Sequence, residues 1–434
     1  MIRAKSIGLA LTVAMIAGLG LTAGALAAGE TLVFVAGPQG NVLWEQVIPM
    51  WEQDTGNKIK FTDVPRENFD AFLKARIAAG SQIDVIMYDP LFHLDYFEHG
   101  IPADITEAFS DPGYPNLKEA NFKAGALDFK RMAGHIYFIP LNLIMTLYYY
   151  NKDIYQEYGI QPPARYEDEV QIADKLDGTG IIPMAYAGKE IWWNPMMFYR
   201  YIPMVTANNS DAFTKATIRG DIKWTSPFYI RALELLKGEM DDGVLTPESL
   251  GLDYDTLTTI FVQDRVATIY QGTWFYSEQL KAAREQGFNL GVTPIPSVSP
   301  GHGQPCGSAD VNLSIYSGTD YMEEALDFLN FSASKKVADI ASNHYVSAIA
   351  GAVPNDPVLA EVVEMYQDVA ITNLVDHLWE PEITEAFKVQ VQNLLLDMAT
   401  PEEVAQYVQD VHDDLVAEGK SFGPIFGKDY SYQQ

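Results

Sequence analysis

Residues 31–37, TLVFVAG, form an uncharged apolar run, and residues 42–54 then place Leu43, Val47, Met50 and Trp51 at helical spacing. Residues 58–64, 68–79 and 83–89 continue the pattern as strand, helix and strand. Strands joined through helices pair in parallel, because a parallel pair needs a long crossover that a helix supplies. The expectation is an α/β chain with a doubly wound, mainly parallel sheet and a ligand site outside the carboxyl ends of its strands. Position alone then makes Gln39 and Asn41, after the first strand, and Tyr88 and Asp89, at the end of the third, candidate site residues. The loop 37–41 reads equally well as a plain turn before a helix. It is not a phosphate cradle, since neither GxxxxGK[ST] nor GxGxxG occurs.

Residues 134–153, GHIYFIPLNLIMTLYYYNKD, carry a short strand pattern up to Pro140 and then a nearly unbroken apolar and aromatic run to Tyr150. An uncharged run this short suits a buried strand. Proline lacks a backbone donor and fixes φ, so Pro140 marks either a bend inside one sheet or the point where the chain crosses to a second sheet. By itself the segment leaves both readings open.

The first 27 residues begin with Arg3 and Lys5, continue as an uncharged Ala, Leu, Ile and Gly run, and end in Ala25-Leu26-Ala27, the pattern of a cleaved secretory signal. The rival is an uncleaved anchor, because the run is long enough to span a bilayer; the late Gly and Ala content and the small-residue site argue against it. No cysteine sits at the cleavage point, which argues against a lipid-anchored form. Cys306 is the chain's single cysteine, so no intramolecular disulfide forms, and it reads as a structural residue. The remaining length exceeds one compact core and suits two domains. With 58 acidic and 29 basic residues the net charge is −29, a surface that repels nucleic acid and anionic lipid but says little about a local pocket.

Tyr137 and Pro140, followed by Tyr150-Asn151-Lys152-Asp153, resemble the first interlobe crossing of the extracellular, or periplasmic, solute-binding proteins of ABC importers, family 1, the maltose-binding-protein-like group. The rest of the chain is similar in order: a short helix after 153 ending at Gly159, the acidic helix start at 166–169, the glycine and tryptophan of Gly272-Thr273-Trp274, the glycine-rich segment 307–315 and the crossing Gly351-Ala352-Val353-Pro354. Arg165-Tyr166 departs from the group's usual Thr-Trp, away from the site. The resemblance implies a two-lobed type II periplasmic binding fold joined by hinge crossings, with one lobe of residues 29–141 plus 297–348 and the other of 145–292 plus 352–434. It also implies an exported, periplasmic monomer that captures a carbohydrate, mono- or oligosaccharide, in the interlobe cleft and hands it to ABC permease subunits in the inner membrane, with no nucleic acid, metal or cofactor involved.

On that reading Gln39, Asn41, Tyr88 and Asp89 face the cleft from the first lobe, Asn142 lies at the hinge, and Tyr150, Trp192, Trp193 and Trp274 come from the second, with Ser308 and Asp310 as polar candidates in the glycine-rich segment. Sugars need planar hydrogen-bonding side chains and flat apolar faces, and an indole supplies the latter. Neighbouring residues point different ways, so one of Trp192 and Trp193 is expected in the cleft and the other in the core. Trp379 is a weaker candidate. A glycerol phosphate or anionic sugar is the alternative ligand; it asks for a cleft cation, and only Lys152, Lys189 and Arg200 come close. A secreted carbohydrate-active hydrolase is the rival of another class, needing a carboxylate pair that cannot be chosen among 58 acids. A structural or adhesive protein predicts repeats, and none occurs. No His-Glu-x-x-His, Gly-x-Ser-x-Gly or paired-cysteine motif is present, and the seven histidines are scattered.

Overall fold

A computed structural model describes residues 29–37, 41–88, 92–123, 125–127, 131–132, 134–206, 210–276, 278–296, 306–309, 312–365, 372–373 and 379–419. Two sheets organise the chain. The first contains β1 (Thr31–Ala36), β2 (Lys58–Asp63), β3 (Val85–Tyr88), β4 (Phe138–Pro140) and β10 (Asn312–Ile315) in the order β2-β1-β3-β10-β4. The second contains β5 (Leu143–Asn151), β6 (Ile182–Ala185), β7 (Val266–Gly272), β9 (Cys306–Ala309) and β11 (Thr372–Asn373) in the order β11-β9-β5-β7-β6, with β8 (Leu290–Thr293) also paired to β5. β1 pairs in parallel with β2 and β3, and β6 with β7. Each sheet has one reversed strand: β10 runs antiparallel to β3 and β4, and β5 to β7, β8 and β9. The α/β expectation thus holds with two sheets, but the pairing is mixed rather than mainly parallel, because the one reversed strand in each sheet makes antiparallel pairs with its neighbours.

β4 sits at the edge of the first sheet, where its proline costs no ladder bond. After Pro140 the chain enters the second sheet at Leu143, and it passes back between Ala309 and Asn312. A continuous apolar cluster follows the first passage, linking Leu32, Phe34 and Val85 through Ile139, Leu141 and Leu143 to Leu147, Ile269 and Phe275. Residues 346–349 run beside it, with the Leu143 amide donating to the Val346 carbonyl at 2.8 Å and an isolated bridge between Asn142 and Ser347.

Helices cover the sheets through local signals legible in the sequence. The helix Asn41–Thr55 buries Leu43, Val47 and Trp51 of the expected stripe, and Trp44 as well, while Met50 is only half-buried. Trp51 Nε1 donates to Asp327 Oδ2 at 2.8 Å, tying that helix to Met322–Ser332. Pro401–Ala417 starts from a capping box in which Thr400 and Glu403 satisfy one another's backbone, with proline at the first helical position. Among the described residues no helix is long and apolar enough to cross a membrane.

Candidate functional site

β6 and β7 are parallel neighbours, so the segments leaving their carboxyl ends emerge on the same side of the second sheet. After β6 the chain makes the turn Ile191–Trp193, and β7 runs directly into the turn Thr273–Phe275. Register therefore brings Trp192, Trp193 and Trp274 together: the ring centroid of Trp274 lies 5.4 Å from that of Trp193, nearly edge-on at 80°, and 6.3 Å from that of Trp192.

Gly272 decides how Trp274 sits. A methyl group at that position would overlap Cζ3, Cη2 and Cε3 of the Trp274 indole, so the ring lies directly on the glycine backbone. Tyr254 completes the group. Its helix, Tyr254–Val262, is capped by Asp253, whose Oδ1 accepts from the Thr256 amide at 2.9 Å. Its hydroxyl accepts from Trp274 Nε1 at 3.3 Å, and its ring lies 6.0 Å from Trp192 at 30°. The approach of the two loops requires Gly188, where a side chain would collide with the Ser249 carbonyl and Leu250; the Lys189 amide bonds the Leu252 carbonyl at 3.0 Å, and Lys189 pairs with Asp253 at 3.0 Å. Trp193 is fully buried, whereas Trp192 and Trp274 are half-buried. The result is an aromatic shelf of Trp192, Tyr254 and Trp274 backed by Trp193. From the first sheet's side the guanidinium carbon of Arg66 stands 5.7 Å from the Trp192 ring centroid.

Behind the shelf lies a buried ionic group. Tyr270 packs 5.4 Å from Trp193 on one side and 4.8 Å from the Arg200 guanidinium on the other. Arg200 donates to Glu239 and to the Tyr148 hydroxyl, Tyr201 donates to Glu239, and Tyr148 donates to Glu169. Arg200, Glu239 and Glu169 are at most 4% exposed. One guanidinium thus faces two buried carboxyl groups. Burial, reinforced by the Glu239 charge and opposed by Arg200, pushes the Glu169 carboxyl up to about 8.

The other expected residues among those described lie away from this shelf. Tyr88 is 2% exposed and packs on Tyr96, with its hydroxyl 3.3 Å from His93 Nδ1. Asn142 is buried between the sheets, and Ser308 is buried on β9 and donates to the Ala309 carbonyl at 3.0 Å. Tyr150 lies against Tyr155 and Gly291. It pairs with Thr268 while Thr146 pairs with Gly272, which sets it four residues, about 13 Å, along the sheet from the shelf. Asn41 opens its helix, and its side chain lies outside the described residues, as do Gln39, Asp89 and Asp310. Trp379 is core, stacked 4.7 Å from Phe387. Of the three cations considered for the cleft, Arg200 is fully enclosed, Lys189 is exposed and paired, and Lys152 starts the helix at the far end of β5. Sequence reasoning missed Tyr254 and Arg66. For Tyr254 the capping pattern Asp253-x-x-Thr256 was the available signal; Arg66, at a helix start, offered none.

A family model for bacterial extracellular solute-binding proteins matches residues 36–339. The chain is 23% identical over 359 residues to the melibiose/raffinose/stachyose-binding protein MelE of Bacillus subtilis, covering 79% of each chain. It is 24% identical to the multiple sugar-binding protein of Streptococcus mutans, covering 63% of each. Among solved structures, a chitin oligosaccharide binding protein superposes with a TM-score of 0.74 at 21% identity, over 90% of this chain and 99% of that one. With the family match spanning well over half of its length, the chain belongs to the bacterial extracellular solute-binding proteins.

Proposed function

We propose that this chain captures a carbohydrate, a mono- or oligosaccharide, between two lobes and delivers it to the permease of an ABC importer. The observation that carries this reading is the shelf: two half-buried indoles and a tyrosine presented at the carboxyl ends of β6 and β7, with a glycine beneath Trp274. A sugar ring has an apolar C–H face that stacks on such a surface. The relatives support the same class, since the similar proteins include a binder of melibiose, raffinose and stachyose and a multiple sugar-binding protein. The lobes follow the two sheets, roughly residues 29–141 with 297–348 and 145–292 with 352–434, except that β9 is hydrogen-bonded into the second sheet. Closure by rotation between them buries the ligand, and the closed shape is what a permease distinguishes. The protein works outside the cytoplasmic membrane as an exported, periplasmic monomer and binds its ligand without converting it.

The test is a thermal-shift screen of the purified chain lacking residues 1–27 against mono- and oligosaccharides, sugar acids, phosphorylated sugars and polyols, with product analysis on every hit. Ligand at a hundredfold excess over Kd stabilises the fold by about 2.7 kcal/mol. A sugar recovered unchanged supports the proposal, and one that is consumed overturns it in favour of a hydrolase. Trp274→Ala is expected to abolish binding with the fold intact; undiminished affinity removes Trp274 from the site.

A further inference from the structure

Arg66 and Trp192 belong to different packing units. Arg66 opens the helix Arg66–Ala78, whose Phe69 and Leu73 are buried with Val33, Val35 and Tyr88 of the first sheet. Trp192 packs on the cluster of Trp193 and Tyr270 in the second. Their cation–π contact therefore bridges the space between the sheets. Burial raises the Tyr254 hydroxyl above its usual range; among the smaller influences, Glu190, next to the Trp192 turn, also raises it and Arg66 lowers it, so charges of both signs stand near this ring.

We propose that Arg66 and Trp192 form a closing contact between the lobes, so that Trp192 serves closure and the ligand stacks on Trp274 and Tyr254. This rests on the reading that the cleft between the sheets is the ligand site. Arg66 covers a face of Trp192 that a sugar would otherwise use, whereas Trp274, on the neighbouring turn, is half-buried and turned toward Tyr254. A contact made in the closed arrangement and lost on opening biases the unliganded chain toward closure. A ligand that binds the closed form then gains affinity, by at most the same factor.

An exposed cation–π pair changes such an equilibrium by about two- to fivefold. The first readout needs no ligand: small-angle X-ray scattering of the free chain compares wild type with Arg66→Gln and Arg66→Lys. Arg66 is exposed, so neither change disturbs a core. The expected result is a larger radius of gyration for Arg66→Gln, with Arg66→Lys close to wild type because an ammonium also sits on an indole face. An unchanged radius for Arg66→Gln overturns the proposal. The second readout uses any sugar found in the screen: Arg66→Gln weakens neutral and acidic ligands alike by about two- to fivefold, and Trp274→Ala abolishes binding while leaving the free radius unchanged. Loss confined to acidic ligands overturns the closing role, since Arg66 then contacts the ligand's charge; a gain in affinity overturns it as well. If no sugar binds, the carbohydrate reading fails while the scattering result still judges the closing contact.

Discussion

Gly272→Ala isolates the feature on which the shelf depends. The backbone at Gly272 has φ −92° and ψ 171°, values open to any residue, so alanine introduces no backbone strain. The whole effect comes from the methyl group, which cannot share space with the indole of Trp274. Displacing that ring gives up its bond to the Tyr254 hydroxyl, about 0.5–1.5 kcal/mol net, and its edge-on packing against Trp193, about the same again. Reduced freedom of the unfolded chain returns about 0.4–1 kcal/mol. The net destabilisation expected in urea unfolding is about 1–2 kcal/mol. Affinity suffers more, by about 2 kcal/mol or roughly thirtyfold, because a displaced platform loses the contact that anchors the ligand. The decisive comparison is a double-mutant cycle: in a Trp274→Ala background there is no indole to displace, so Gly272→Ala becomes neutral or slightly stabilising. An equal cost in both backgrounds would refute the idea that the glycine exists for the indole.

Two further predictions concern the ionic group behind the shelf. The folded-state value of Glu169, about 8, lies above the unfolded value near 4.5, so the native chain keeps a proton there that the unfolded chain has released. Stability therefore falls as pH rises through that window, by up to about 1.4 kcal/mol per unit. Urea unfolding at pH 5.5, 6.5 and 7.5 is expected to show this slope in wild type and a flatter one in Glu169→Gln, and identical slopes would remove Glu169 as its source. Arg200→Met leaves the Glu239 carboxylate buried without its cation and is expected to cost about 3–5 kcal/mol at pH 8. Adding Glu239→Leu should recover most of that loss; if it recovers none, the cost lies in packing against Tyr201 and Tyr270 rather than in charge.

Local pattern carried much of this protein. Alternating strands and helices from residue 31 onward specified β1, β2 and β3 of the first sheet, because period and crossover length are properties of short segments. The proline at 140 left a bend and a passage between sheets both open, and the Gly272–Trp274 pair stood out only through the family resemblance; the structure shows the passage and gives the pair its physical reason. Tertiary structure decided what depends on distant partners. Tyr150 looked like a site residue, yet the antiparallel register of β5 against β7 carries it away from the shelf. Arg200 looked like a cleft cation, yet tertiary packing encloses it with Glu169, Glu239, Tyr148 and Tyr270. Of the adjacent tryptophans, alternation required one inside and one outside, but only packing against Tyr270 put Trp193 in the core and left Trp192 toward Arg66. Tyr254 and Arg66 reach the shelf from helix starts far away in sequence, and no local period encodes such a meeting. Segment type is set by neighbours along the chain, whereas the membership of a site is set by register and sheet order, which emerge only when the whole core is packed.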